Sequence, residues 1–237
     1  MNPRIIFLIL GTIGLLLGWL LLSDGGIANP TLAVAGRMPL IIGGYGDNFQ
    51  YSGDDVRGVK GSLLFRLDED AQKGLIRAQV ETTEASGSVR LSADVELEGK
   101  IDITAAINQR DKLYKEISIH GDTGIGGPEL PLTYAQVFGW GVFLVSIGGE
   151  AVTELPGEWG LIRALRKEDG AIRQSGLTYS PLLRDKSGFS DRERSEFFLL
   201  LHSQDEDTEN NPQYTAALHI VFAEVEIETD EADGLAF

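Results

Sequence analysis

The chain has 237 residues, 43% of them hydrophobic, a formal charge of −16 and no cysteine. That length serves one domain or two small ones, and so acidic a balance lacks the cationic footprint of a nucleic-acid binder. Without a thiol there is no disulfide, no thiolate nucleophile, no thiolate-held zinc or iron–sulfur centre and no diacylglycerol anchor.

The first element in chain order is an uncharged run from Ile5 to Leu22. As a helix its 18 residues rise roughly 27 Å, close to the ~30 Å of a hydrocarbon core. Arg4 precedes the run and Asp24 follows it, so the positive-inside rule puts the N-terminus in the cytoplasm and the rest outside, as periplasmic or extracellular chain. Trp19 falls at the outer interface, where an indole can lie among headgroups. Gly11, Gly14 and Gly18 fall on one helical face, and Gly14 to Gly18 is a GxxxG spacing that lets two helices approach closely in lipid. The alternative is a cleaved signal peptide, with Ala33-Val34-Ala35 as the small-x-small site before Gly36. The apolar run exceeds the usual signal core and the site lies far beyond its end, which favours a retained signal anchor over residues 1–22 in the plasma or inner membrane. Residues 23–39, rich in Gly, Pro and small side chains, read as a linker. Residues 1–36 contain one Arg and one Asp, so the whole charge of −16 stays with the outer domain.

From residue 40 to 230 the dominant period is two. Ser62–Leu67 and Leu75–Val80 flank the polar segment 68–74 and predict a hairpin. Ser88–Glu98 alternates Val89, Leu91, Ala93, Val95 and Leu97 with polar residues, and Gly99-Lys100 offers a two-residue turn into a returning strand over 101–107. Tyr114–His120 alternates again, then the glycine cluster 121–127 predicts an ordered loop. Leu132–Phe138 could make a short helical turn. Gly141–Ile147 reads as a central strand apolar on both faces. Phe197–His202 is a further apolar run, with a helix over 192–201 as its alternative. Tyr214–Glu228 is the longest strand, buried on both faces over Leu218–Phe222 and alternating to its end, before the acidic tail 231–237. Many strands separated by turn signals predict an all-β outer domain, an antiparallel β-sandwich or barrel, behind one N-terminal transmembrane α-helix.

Motifs for chemistry are sparse. His120, His202 and His219 have neither HxH nor HExxH spacing, and their only route to one site is convergence across strands. No G-x-S-x-G elbow surrounds a serine, and the cluster at 121–127 lacks both the dinucleotide and P-loop spacing. Tyr134, Phe138, Trp140 and Trp159 are the candidates for a partner or ligand surface, with core packing as the plainer role. Asp205, Asp207 and Glu209 are spaced two apart like calcium ligands, but Ala216 stands where an EF-hand needs its bidentate glutamate. No cofactor is implied.

The combination favours a non-enzymatic accessory or scaffold subunit whose partners are the bilayer and other integral membrane subunits, of a respiratory or photosynthetic type of complex. An extracytoplasmic module binding an apolar small molecule or a sugar is the alternative, and a carboxylate-dependent hydrolase ranks lowest. A ligand-binding barrel requires a roomy lumen, whereas a scaffold requires a filled one.

Overall fold

The structure, a computed structural model, describes residues 27, 30–46, 56–109, 111–126, 132–166, 194–205 and 214–229. Its strands, in chain order, begin with β1 (Leu32–Ile42), β2 (Val56–Gly58), β3 (Lys60–Asp68), β4 (Lys73–Glu81), β5 (Val89–Arg90) and β6 (Glu96–Leu97). They continue with β7 (Lys100–Ile107), β8 (Leu113–Ile119), β9 (Thr133–Ile147), β10 (Glu150–Arg163), β11 (Ser195–His202) and β12 (Ala217–Thr229).

Eight of these strands run antiparallel in the order β10-β11-β12-β1-β3-β4-β7-β9, and β9 pairs with β10 to close the ring. The fold is therefore a barrel, in which closure leaves the ring no free edge. The long β9 is shared: its C-terminal half pairs with β7, while its N-terminal half pairs with β8, which lies outside the ring. The short β2 adds to the end of β1.

Alternation decides which side chains enter the lumen. Leu63, Phe65 and Leu67 of β3 face inward beside Ile76, Ala78 and Val80 of β4, as the predicted hairpin requires. Trp159 of β10 lies fully buried among them, its indole 5.1 Å from Phe65 and nearly parallel to Phe197 at 6.2 Å. Gly139 of β9 makes room for that indole, since a Cβ there would come 2.7 Å from its Cζ2. Phe143, Phe222, Ile103 and Val145 complete a lumen packed with side chains. Each such side chain is worth about 1.5–3 kcal/mol in burial.

Several elements differ from the sequence reading. Ser88–Glu98 is not one strand but folds back on itself as β5 and β6, with Val89 opposite Leu97. Val89, Leu91 and Leu97 are buried in the lumen cluster, whereas Ala93 is exposed. The segment therefore plugs the barrel instead of joining its wall, held where the Ala217 N–H donates to the Leu91 carbonyl. The partner of β7 is β4, not this segment. Leu132–Phe138 is extended as the start of β9, and 195–202 is strand β11, because both lie inside long antiparallel ladders. Gly141–Ile147 is strand, but Val142 is 59% exposed, so only its Phe143 and Val145 side is core. Burial of Leu218–Phe222 on both faces stands, while Ile227 near the end of β12 is exposed.

The barrel also begins earlier than the linker reading implies. Leu32–Gly36 pairs with β3 on one side and β12 on the other, and Val34 is buried in the lumen. Cleavage after Ala35 would remove four of the residues that join β1 to β3. The anchor residues Arg4, Gly11, Gly14, Gly18 and Trp19 lie outside the described residues. Among the described residues no helix is long and apolar enough to cross a membrane.

Candidate functional site

Strands β9 to β12 and the end of β1 bury their outer face as well. Register pairs put Trp140, Glu158, Leu200 and His219 in one row across the outside of the wall. The next row is Phe138, Gly160, Phe198 and Val221, continued by Leu40 of β1. These apolar residues form a second cluster, separate from the lumen, with Ile119, Ile162 and Leu165. Gly160 is what lets the Phe198 ring lie close to the wall, since a Cβ there would sit 2.8 Å from its Cε1.

Five ionisable side chains are sealed into this apolar layer. Glu196 is 1% exposed, His120 3%, Glu158 4%, Arg166 6% and His219 7%. Such groups are almost never buried unless charge or hydrogen bonding compensates them. His120 Nε2 lies 3.6 Å from Glu158 Oε1, and the Arg166 backbone N–H donates to Glu196 Oε2 at 3.3 Å. His219 is held well below the usual histidine value, at about 3, first by burial and then by the positive charges of Arg166 and His120. It is thus a neutral imidazole across the physiological range.

The loop after β8 delivers His120 to this cluster. Its backbone has φ 65° and ψ −179°, a region almost reserved for glycine. Gly121, Gly124 and Gly126 all have positive φ, as a turn this tight requires. The loop closes on itself: the His120 N–H donates to the Ile125 carbonyl at 2.7 Å, and the Thr123 hydroxyl donates to the His120 carbonyl at 3.0 Å. The imidazole then meets Phe138 and Phe198 edge-on at 6.1 and 5.6 Å. Gly126 presses over it so closely that a Cβ would fall 2.4 Å from His120 Cδ2 and 2.9 Å from Glu158 Oε2. The arrangement thus sets an imidazole beside a carboxylate in an apolar layer, under a tight loop.

A groove of about 430 Å³ lies elsewhere on the outer wall, at the end of β12 beside the start of β11. Arg37, Arg194, Glu224 and Glu226 line it with Val225 and Ile227, and Arg37 pairs with Glu226 at 3.0 Å.

Of the residues singled out from sequence, two histidines converge and the third does not. His120 and His219 share the buried cluster; His202 stacks on Tyr214 at 4.2 Å. Phe138 is fully buried in the outer cluster and Trp159 in the lumen, so neither offers accessible surface. Tyr134 and Trp140 are half-buried, with the Arg163 guanidinium 4.7 Å over the Tyr134 ring. Asp205 lies in a bend after β11, while Asp207 and Glu209 lie outside the described residues. Among the described residues no group of three His, Asp or Glu is placed to hold a metal ion.

Sequence reasoning missed Glu158, Glu196 and Arg166. Glu158 stands in Pro156-Gly-Glu-Trp-Gly160, which reads as a chain breaker. Glu196 abuts the Phe197–Leu201 run, and its spacing of two from Phe198 and Leu200 was the available signal for a buried carboxylate. Comparison of the chain with protein-family models, with curated proteins and with solved structures finds no match.

Proposed function

We propose that this chain is a non-enzymatic accessory subunit, tethered to a membrane by residues 5–22, whose barrel braces partner subunits on the outer side. The filled lumen carries the reading: Trp159, Phe65, Phe143, Phe197 and Phe222 occupy the space in which a ligand-binding barrel keeps its cavity. A barrel without lumen space for a ligand works through its outer wall and its tether. The Gly11, Gly14 and Gly18 face of the apolar run supplies a surface for docking against other membrane helices.

The test is the size of the full chain extracted from its native membrane in mild detergent. The reading expects a species larger than the monomer, reduced to the monomer by Gly14→Leu with Gly18→Leu while the barrel keeps its β circular dichroism. A wild-type chain that runs as a lone monomer at native abundance overturns it. A second reading, a module binding a sugar or other small molecule, draws on the outer groove, whose ~430 Å³ falls in the usual size range for ligand sites. Saturable sugar binding abolished by Arg37→Ala would favour that reading.

A further inference from the structure

We propose that the free edge of β12 over residues 224–229 is a strand-addition site, taking an extended segment of a partner protein that alternates basic with apolar residues. The inference rests on the accessory-subunit reading and names one contact through which the barrel holds its partner.

Strand β12 is paired unequally along its length. On the β1 side its ladder runs from Ile220 to Thr229, whereas on the β11 side it stops at Phe222, opposite Phe197. Among the described residues, the stretch 224–229 therefore presents one row of backbone N–H and C=O groups to no strand. The groove of about 430 Å³ follows this edge: residues 223–227 line it, with Arg194 and Ser195 where β11 begins. Glu224, Glu226, Ile227 and Glu228 are exposed, so the edge is open where a strand would lie.

Charge explains why β11 does not fill the groove. Continued upstream in the same register, it would set Arg194 opposite Val225, Glu193 opposite Glu226 and Asp191 opposite Glu228. Like charges directly opposite one another destabilise a ladder. A second copy of β12 would likewise oppose glutamate with glutamate. The edge attracts the reverse pattern. Glu224, Glu226 and Glu228 alternate with Val225, which packs on the lumen cluster, and with Ile227, which lies opposite Val34. Arg37 reaches Glu226 at 3.0 Å from the β1 side and offsets one of the three. A strand with Lys or Arg across from the glutamates, and apolar residues across from Val225 and Ile227, gains favourable cross-strand pairs on both faces. Main-chain hydrogen bonds supply the affinity of such an addition and the alternate side chains its specificity.

Amide hydrogen exchange on the full chain in detergent tests the site. The probe is a blocked peptide alternating lysine with valine over the length of the edge; its counterpart carries glutamate for lysine. At about ten times its Kd the lysine peptide is expected to slow alternate amides of residues 224–229 about tenfold, while the β4–β7 ladder stays constant. Glu226→Lys with Glu228→Lys is expected to weaken the lysine peptide about tenfold and to favour the glutamate one. N-methylation of one alternate set of peptide amides should abolish binding and of the other set leave it, as backbone pairing along one edge requires. No protection, equal protection by both peptides, indifference to charge reversal or equal tolerance of both N-methyl sets overturns the proposal. So do edge amides already slow in the free chain, which mean that the chain's own segment fills the groove, and protection that rises with protein concentration, which means a second copy. The size of the membrane extract separates the site from the reading beneath it. A lone monomer whose edge takes the lysine peptide overturns the accessory role and keeps the site; a larger species whose edge takes no peptide keeps the role and overturns the site.

Discussion

His219 makes the barrel sensitive to acid, and the size of the effect follows from its burial. In the unfolded chain this imidazole titrates near its ordinary 6.5; in the folded chain it does so at about 3. Between those values the unfolded state binds a proton that the folded state refuses, so stability falls as pH is lowered through that window and is fully present above it. Each pH unit of difference is worth about 1.4 kcal/mol, which puts the loss at roughly 3 kcal/mol by pH 4.5 and on the order of 4 kcal/mol at pH 3, where the folded-state imidazole is itself half protonated. Those figures are large beside the 5–15 kcal/mol typical of a whole domain. Side-chain carboxylates in general also take up protons on acidification, so the diagnostic quantity is a difference between proteins. Urea unfolding of wild type and His219→Gln in one detergent, at pH 7.5, 6, 5 and 4.5, isolates it. The variant is expected to be less stable at pH 7.5, because its amide brings more hydrogen-bonding positions into a packed apolar layer than a neutral imidazole does, and to lose less stability on acidification, by about 2–3 kcal/mol at pH 4.5. Parallel stability–pH curves for the two proteins would refute the argument, since a histidine that charges freely in the folded state leaves no such difference.

Gly126→Ala should loosen the 120–126 loop, since its Cβ meets His120 Cδ2 at 2.4 Å on a backbone with φ 76°; exchange of the 120–126 amides should rise with a global cost of about 1–3 kcal/mol in urea unfolding. Trp159→Ala should cost about 3–5 kcal/mol by opening a void in the lumen. Trp159→Phe should cost far less, because the indole Nε1 is buried with no hydrogen-bond partner among the described residues and its removal recovers part of the loss. A chain beginning at Gly36 should fail to give a cooperative unfolding transition, while one beginning at Ile27 should keep it, because Leu32–Ala35 closes β1 onto β3.

How much of this was legible depends on which force set each element. The β3–β4 hairpin was visible because its solvent face is polar and its period of two is unbroken. Strand β10 was hidden by Pro156, Gly157 and Gly160, which read as breakers. Pro156 lies just past the last β10–β11 pair at Gly157, so its missing N–H costs no bond there. Gly157 and Gly160 are there because a Cβ would strike the Leu200 carbonyl at 2.6 Å and the Phe198 ring at 2.8 Å. The same packing that forbids side chains at those positions makes the strand look like a loop. Strand β1 was hidden for a related reason: Ala33, Ala35 and Gly36 resemble a flexible linker, yet Gly36 is small because Leu63 and Phe222 press on it. At the site, burial of His219 could be read from its place in Leu218–Phe222. The convergence with His120 could not, because it depends on a strained loop crossing from β8 onto the face of β10 to β12.

The distinction between alternating and continuous apolar segments carries one further consequence. Strands β3, β4 and β7 show polar outer faces: Arg66, Arg77, Gln79 and Asp102 face outward, with Gln79 donating to Asp102 at 2.7 Å. Strands β11 and β12 are apolar on both faces because their outer face is a second core. The wall thus has a solvated half and a covered half, and the ionisable cluster sits under the cover, not in the lumen. A change of proton count there acts on what covers the wall, since the packed lumen has no space to rearrange.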